Sequence, residues 1–165
     1  MDRHGRQRVS DLRTYGHSRA VRWDRYNYRD DAVVHLTLCT NRGAPFDVDR
    51  TAQMICDAVV KSCELKDYCL FGYCLMPDHL HVLLSPGDSG IGIDKWLNAF
   101  KSFTTHAYMK LGGHPPLWQR SAYDHVCRKG ETAETVMRYI AENPVRKGLV
   151  QDWHDWPWTR VFVDL

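Results

Sequence analysis

One stretch constrains the fold of this chain more than any other. Between Tyr68 and Leu84 lie two apolar runs, Tyr68–Leu75 and His79–Leu84, with only Met76-Pro77-Asp78 between them. Each run is of strand length and ends in turn formers: Pro77-Asp78 after the first, Ser85-Pro86-Gly87 after the second. Two strands this close in sequence are expected to pair as an antiparallel hairpin. The rest of the chain has to be arranged around that hairpin.

The flanking segments meet this demand. Ala32–Thr40 is β-branched and apolar and stops at Asn41-Arg42-Gly43, which predicts a strand. Ala52, Ile55, Cys56, Val59, Val60 and Cys63 recur every three or four residues, which predicts an amphipathic helix beginning near Asp49. Ile93, Trp96, Leu97, Phe100, Phe103, Thr104, Ala107, Tyr108 and Leu111 define a second, longer helix closed by Gly112-Gly113. Tyr123–Arg128 is expected to form a short fourth strand. Glu131–Asn143 reads as a last helix, because Pro144 disfavours helical geometry in the residue before it. The order β-α-β-β-α-β-α is that of an α+β fold. It has the ferredoxin-like split βαβ arrangement, an antiparallel sheet with helices on one face, plus an extra C-terminal helix. Residues 31–165 read as one domain, without repeat or linker. The fold is shared by many functions and names none.

Charge is uneven along the chain. Residues 1–30 hold eight Arg and four Asp, whereas the remainder holds 14 basic and 16 acidic residues. The first thirty residues therefore form a basic arm dotted with aromatics (Arg19, Arg22, Trp23, Arg25, Tyr26, Tyr28, Arg29) on a near-neutral body. Such an arm suits a polyanion such as nucleic acid, and equally a solvated leader without a partner. It has no apolar core of the kind a secretory signal needs. No apolar run approaches the roughly 20 residues that cross a bilayer. The six cysteines include no Cys-x-x-Cys pair, and four fall in apolar runs. They are expected to be reduced and buried, hence a cytoplasmic protein.

Two features carry chemistry. His79 and His81 are two apart on a predicted strand and so project from the same face, side by side, where two imidazoles can share one divalent ion. The bland alternative is a pair of satisfied histidines with no metal. On the last helix, Ala133, Val136, Met137 and Ile140 form the core stripe, and Tyr139 lies roughly 110° from its middle. Asn143, four residues on, falls on nearly the same face as Tyr139. A helical tyrosine usually packs in or beside the core, but this one flanks the stripe.

The blocks around these residues resemble a known family. Leu75-Met76-Pro77-Asp78-His79-Leu80-His81-Val82-Leu83 resembles the histidine-hydrophobe-histidine block of the single-tyrosine HUH transposases. Arg138-Tyr139-Ile140-Ala141-Glu142-Asn143-Pro144-Val145-Arg146-Lys147-Gly148-Leu149-Val150 is similar to the tyrosine block of one branch, the REP-associated tyrosine transposases. Phe100-Lys101-Ser102-Phe103, Trp118-Gln119, Tyr123-Asp124-His125 and Asp155-Trp156-Pro157-Trp158 fit that branch as well, in the right order. The resemblance spans about residues 33–158; the arm has no clear counterpart.

The resemblance implies that Tyr139 is the nucleophile and that His79 and His81 are metal ligands. It implies Asn143 as third ligand, where insertion-sequence relatives carry the longer glutamine. The implied activity is metal-dependent cleavage and strand transfer of single-stranded DNA near hairpin-forming repeats, through a 5′-phosphotyrosine. A phenol with a pKa of about 10 is only about one part in a thousand ionised at pH 7, and a metal can help by polarising the phosphate and neutralising developing charge. Mg²⁺ or Mn²⁺ suits an oxygen-rich site with two imidazoles. Zinc, held by His79, His81 and Cys127 or His125, lacks the usual ligand spacing. Lys101, Arg120, Arg128, Lys129, Arg138, Arg146 and Lys147 are candidate phosphate contacts, and Trp118 a candidate stacking platform. Trp153, Trp156 and Trp158 are expected in the core, and Asp124-His125 is a polar pair able to orient a ligand. The rival functions are a hairpin-binding regulator that does not cut, and a metal-dependent hydrolase that uses water. Monomer and homodimer, with the tyrosine acting in cis or in trans, both remain open.

Overall fold

The structure is a computed structural model that describes residues 32–86, 90–128 and 130–165. The basic arm, with the arginines and aromatics named on it, lies outside the described residues, as does Lys129. Five strands form one antiparallel sheet: β1 (Val34–Cys39), β2 (Tyr68–Met76), β3 (His79–Pro86), β4 (Tyr123–Val126) and β5 (Thr159–Val161), in the spatial order β4-β1-β3-β2-β5. The expected hairpin is β2–β3, and β1 pairs with β3 in a register that sets Thr37 opposite His81 and Cys39 opposite His79. The first four strands give the split βαβ order, and β5 extends it at the β2 edge.

The alternation of side chains along the strands divides the interior in two. Val34, Leu36 and Leu38 of β1 join Tyr73 and Leu75 of β2 and Leu80, Val82 and Leu84 of β3 on one face. That face is covered by α1 (Asp49–Leu65) and α2 (Ile93–Lys110), through Ala52, Ile55, Cys56 and Val59 of the first and Ile93, Trp96, Leu97 and Phe100 of the second. Cys74, Met76 and Leu83 point the other way, against Val136, Met137, Ile140 and Ala141 of α3 (Ala133–Ala141). The extra helix thus covers the face opposite α1 and α2. It starts at Thr132, whose hydroxyl accepts the Thr135 amide at 3.1 Å.

Several features depart from the sequence expectations. The helix predicted to run unbroken to Asn143 breaks at Glu142, and Asn143 opens a separate turn, α4 (Asn143–Arg146). Pro144 is tolerated there because the first turn of a helix needs no amide from it. Strand β5 was not foreseen, since three residues after a tryptophan-rich turn carry too little pattern. It is held by contacts distant in sequence: the Trp156 indole donates to the Leu75 carbonyl at 2.9 Å, and the Leu75 amide donates to the Trp158 carbonyl at 2.9 Å. The Asp155–Trp158 block is therefore a clip on the edge of β2, with Trp156 and Trp158 half-buried against the core clusters, not enclosed within the core as expected. The cysteines are unpaired, but Cys69 is exposed and Cys127 half-buried, so the expectation of burial fails at those two.

Gly72 shows how closely the second layer fits. It sits at a register shift in β2, with φ +156°, and a methyl group there would lie 2.5 Å from the Met137 sulfur and 2.6 Å from the Arg160 carbonyl oxygen. Met137 can swing aside, whereas the Arg160 oxygen belongs to β5 and moves only with the strand. Gly72→Ala is expected to lower the unfolding free energy by about 2–4 kcal/mol, the sum of overpacking and a disfavoured backbone conformation. Urea denaturation checks this, and a loss below about 1 kcal/mol would show that β5 yields freely.

Candidate active site

The face of the sheet turned towards α3 carries the polar groups. His79 and His81 of β3 are both buried there, their ring centroids 4.8 Å apart and their planes nearly perpendicular. Each ring is held at Nδ1. The Asp78 carboxylate lies 2.6 Å from Nδ1 of His79 and accepts a hydrogen bond from it, which fixes the orientation of the ring. Nδ1 of His81 lies 3.0 Å from the Thr37 hydroxyl and 3.1 Å from Nε2 of His35. Nε2 of His81 is buried and has no hydrogen-bond partner among the described residues. Burial, and then the nearby His79, His35, Arg146 and Lys147, push the His81 pKa well below its ordinary value, so the ring is neutral at neutral pH. Burial, helped by His125, lowers His35 to about 4.

A neutral buried imidazole with an orphaned nitrogen is the form in which histidine binds a metal. The donor set therefore fits a divalent ion at His79 and His81. Among the described residues no group of three His, Cys, Asp or Glu is placed to hold a metal ion, so a further ligand from these residues would be an amide or hydroxyl oxygen. This also sets aside the zinc alternative through Cys127 or His125, the latter bonding instead to the Glu131 carboxylate at 2.9 Å.

Tyr139 stands on α3 with 53% of its surface exposed, beside the buried stripe Val136, Met137 and Ile140. It lines a cavity of about 370 Å³ together with His35, Thr37, His81, Tyr123, Asp124 and His125. The Arg146 guanidinium lies over the Tyr139 ring, 4.0 Å from its centroid, and also donates to the Tyr139 carbonyl. Arg146 further approaches the Glu142 carboxylate to 3.6 Å. The ring is thus braced from the α4 turn. Asn143 does not share the exposure of Tyr139: it is 3% exposed, and its amide nitrogen donates to the Ile140 carbonyl at 3.1 Å. Its amide oxygen is the atom that ligation would use.

The other positions named from the sequence separate into three groups. Arg146 and Lys147 lie near enough to the histidines for their charges to be felt at His81. Arg120, Arg128 and Arg138 are exposed, and Arg120 borders a different groove, with Ser102, His106 and Gln119. Lys101 points its ammonium at the carbonyls of Gln119, Arg120 and Ser121, at 3.0, 3.3 and 3.5 Å, so its donors are spent on that loop. Trp118 is corrected from stacking platform to core. It is 5% exposed between Phe46 and Phe100, and its indole donates to the Thr104 hydroxyl at 2.8 Å. A base cannot reach a ring enclosed in this way.

His35 and Thr37 escaped the sequence reading. The signal was present, because His35-Leu36-Thr37 has the same two-residue period as His79-Leu80-His81. Only the β1–β3 register shows that the two periods meet on one face.

Comparison with known proteins adds to this geometry. A family model described as "Transposase IS200 like" matches residues 29–143, which include His79, His81, Tyr139 and Asn143. The REP-associated tyrosine transposase of Escherichia coli (strain K12) is 28% identical over 115 residues, covering 68% of this chain and 66% of that relative. The matched stretch is thus just under two thirds of that relative's length. A solved structure of a REP-associated tyrosine transposase bound to a REP hairpin superposes with a TM-score of 0.67 at 22% identity, over 82% of this chain and 79% of that one. At that identity the likeness speaks for the fold, which is the α+β sheet described above.

Proposed function

The chain belongs to the IS200-like transposase family, and from that premise we propose that it cleaves and rejoins single-stranded DNA beside hairpin-forming repeats, with Tyr139 as nucleophile. The observation that carries the proposal is the cavity shared by an exposed Tyr139 and a buried, neutral His81. A regulator that only binds DNA has no need of a phenol beside a pair of metal-competent imidazoles. The family is in general metal-dependent. In this chain Nε2 of His79, Nε2 of His81 and the amide oxygen of Asn143 are the atoms that would hold Mg²⁺ or Mn²⁺. Bound there, the ion would polarise a non-bridging phosphate oxygen and ease departure of the 3′-oxygen.

The chain's own groups do the rest. The Tyr139 phenol gives up its proton to solvent, and its oxygen forms a bond to phosphorus as the bond from phosphorus to the 3′-oxygen breaks. The departing 3′-oxygen takes up a proton from solvent, leaving a free 3′-OH and a 5′-phosphotyrosine. Attack by a different 3′-OH reverses the step and joins new strands. Arg146, stacked on the phenol ring, keeps it oriented and sets a positive charge where the phosphate has to lie. Lys147 adds a second.

The test is an adduct assay. Full-length protein is incubated with Mn²⁺ or Mg²⁺ and single-stranded oligonucleotides from repeats flanking its own gene, then run on a denaturing gel. A slow-migrating, metal-dependent protein–DNA species is expected. Tight binding with no cleavage, across both metals and several repeats, would replace the proposal with the regulator.

A further inference from the structure

His79 and His81 present the same question twice, and the fold answers it differently each time. A neutral imidazole has one protonated and one bare nitrogen, and it can ligate only through the bare one. For His79 the adjacent Asp78 carboxylate accepts the hydrogen bond from Nδ1 at 2.6 Å. His81 has no carboxylate at its Nδ1. Its contacts there are the Thr37 hydroxyl at 3.0 Å and Nε2 of His35 at 3.1 Å, both from the neighbouring strand β1.

We propose that Thr37 and His35 are positioning residues that hold His81 in the tautomer with a bare Nε2, which is the form able to bind a metal. The proton placement follows from a count of donors. If Nδ1 of His81 carries the proton, it donates to the Thr37 oxygen, and the Thr37 hydroxyl has its own hydrogen to give to Nε2 of His35, 3.5 Å away. The two hydrogens passed along the chain His81–Thr37–His35 then each have an acceptor, and Nε2 of His81 is a bare lone pair. In the opposite arrangement His35 donates to Nδ1 of His81 and the proton moves to Nε2. That nitrogen is buried with no acceptor, and a buried donor without a partner is disfavoured by its full desolvation. The relay through Thr37 is favoured.

The device is a product of strand register. Thr37 is the direct antiparallel partner of His81, and His35 is two residues along β1 on the same face. A slip of one residue would turn Leu36 and Leu38 to this face and remove both acceptors. His35 and Thr37 also line the cavity that holds Tyr139, so the positioning groups and the nucleophile face one space.

The inference rests on the metal-dependent reading above, and its test separates the two. In ¹⁵N-labelled full-length protein without metal, two-bond ¹H–¹⁵N spectra report the tautomer of each ring, and His81→Gln identifies the His81 signal. Wild type should show His81 protonated at Nδ1. In His35→Phe/Thr37→Val the signal should shift to the Nε2-protonated pattern. The Mn²⁺ dissociation constant, from calorimetry, should rise about 10–100-fold. Thr37→Ser, which keeps the hydroxyl, should bind Mn²⁺ within about twofold of wild type, whereas a purely packing role for the Thr37 methyl would leave it impaired. An Nε2-protonated His81 in wild type, or unchanged Mn²⁺ affinity in a folded double variant, overturns the inference. Should the double variant not fold, the wild-type spectrum and the Thr37→Val and Thr37→Ser titrations decide. A wild type that shows the Nδ1 tautomer but binds no Mn²⁺ overturns the metal reading alone.

Discussion

Tyr139→Phe should abolish the covalent protein–DNA species and lower cleavage on the order of 10³-fold or more, while hairpin binding stays within about twofold of wild type. The substitution removes one oxygen and keeps the ring. Tyr139 is half exposed and stands beside the core stripe of α3, so its hydroxyl supports no buried hydrogen bond whose loss would unfold the helix. Stability should change by no more than about 0.5 kcal/mol, the usual range for a surface position. The guanidinium of Arg146 retains a ring to stack on, which keeps the α4 turn where it is. A lost adduct in a folded, DNA-binding variant thus points to the missing nucleophile. Gel mobility under denaturing conditions and a circular dichroism melt check the two halves. Cleavage that persists in the Phe variant would make water the nucleophile and Tyr139 a wall of the cavity.

Removing the imidazoles should have the next largest effect. His79→Gln and His81→Gln, singly, are expected to lower metal-stimulated cleavage on the order of 10²–10³-fold, corresponding to the several kcal/mol of charge stabilisation that a metal ion supplies. Part of the loss should return at high Mn²⁺, because a weakened site is filled by mass action, whereas Tyr139→Phe should not respond. His81 is the more informative of the two. It is neutral and buried among groups that already repel a proton, so an uncharged amide in its place introduces no unpaired charge. Initial rates across a Mn²⁺ titration, with thermal melts of each variant, give the measurement. Wild-type rates at wild-type metal concentration would mean that the histidines belong to the core and ligate nothing.

Together these two outcomes divide the site by role. The phenol is exposed, which suits a group proposed to form and break bonds. The imidazoles are buried and held at Nδ1 by other side chains, as groups that keep a fixed geometry have to be. The described residues include no helix long and apolar enough to cross a membrane, which agrees with the absence of such a run in the sequence.

Much of this could be read from the chain alone because it is local. The hairpin Tyr68–Leu84, the two amphipathic helices before and after it, and the offset of Tyr139 from the stripe Val136, Met137 and Ile140 each depend on residues within a few positions of one another. The period of two along β3 was enough to put His79 and His81 on one face. Where the reading failed, the deciding contact was distant. Trp118 carries nothing in its neighbourhood to say that Thr104 and Phe100 enclose it, nor Lys101 that the carbonyls of residues 119–121 meet its ammonium. The three residues of β5 are a strand only because β2 offers them an edge, and Cys69 is exposed although its run is apolar.

The sequence by itself determined which elements form and which way their side chains alternate, since backbone periodicity is a property of neighbours in the chain. Only the tertiary structure decided what those faces meet. Helix α3 crosses the sheet face opposite α1 and α2, which brings Tyr139 to the cavity lined by His81. The β1–β3 register carries His35 and Thr37 to the Nδ1 of a histidine more than forty residues away. Packing and strand register join residues that the chain keeps apart, and hydrogen bonds of about 3 Å form only after those long-range choices are made.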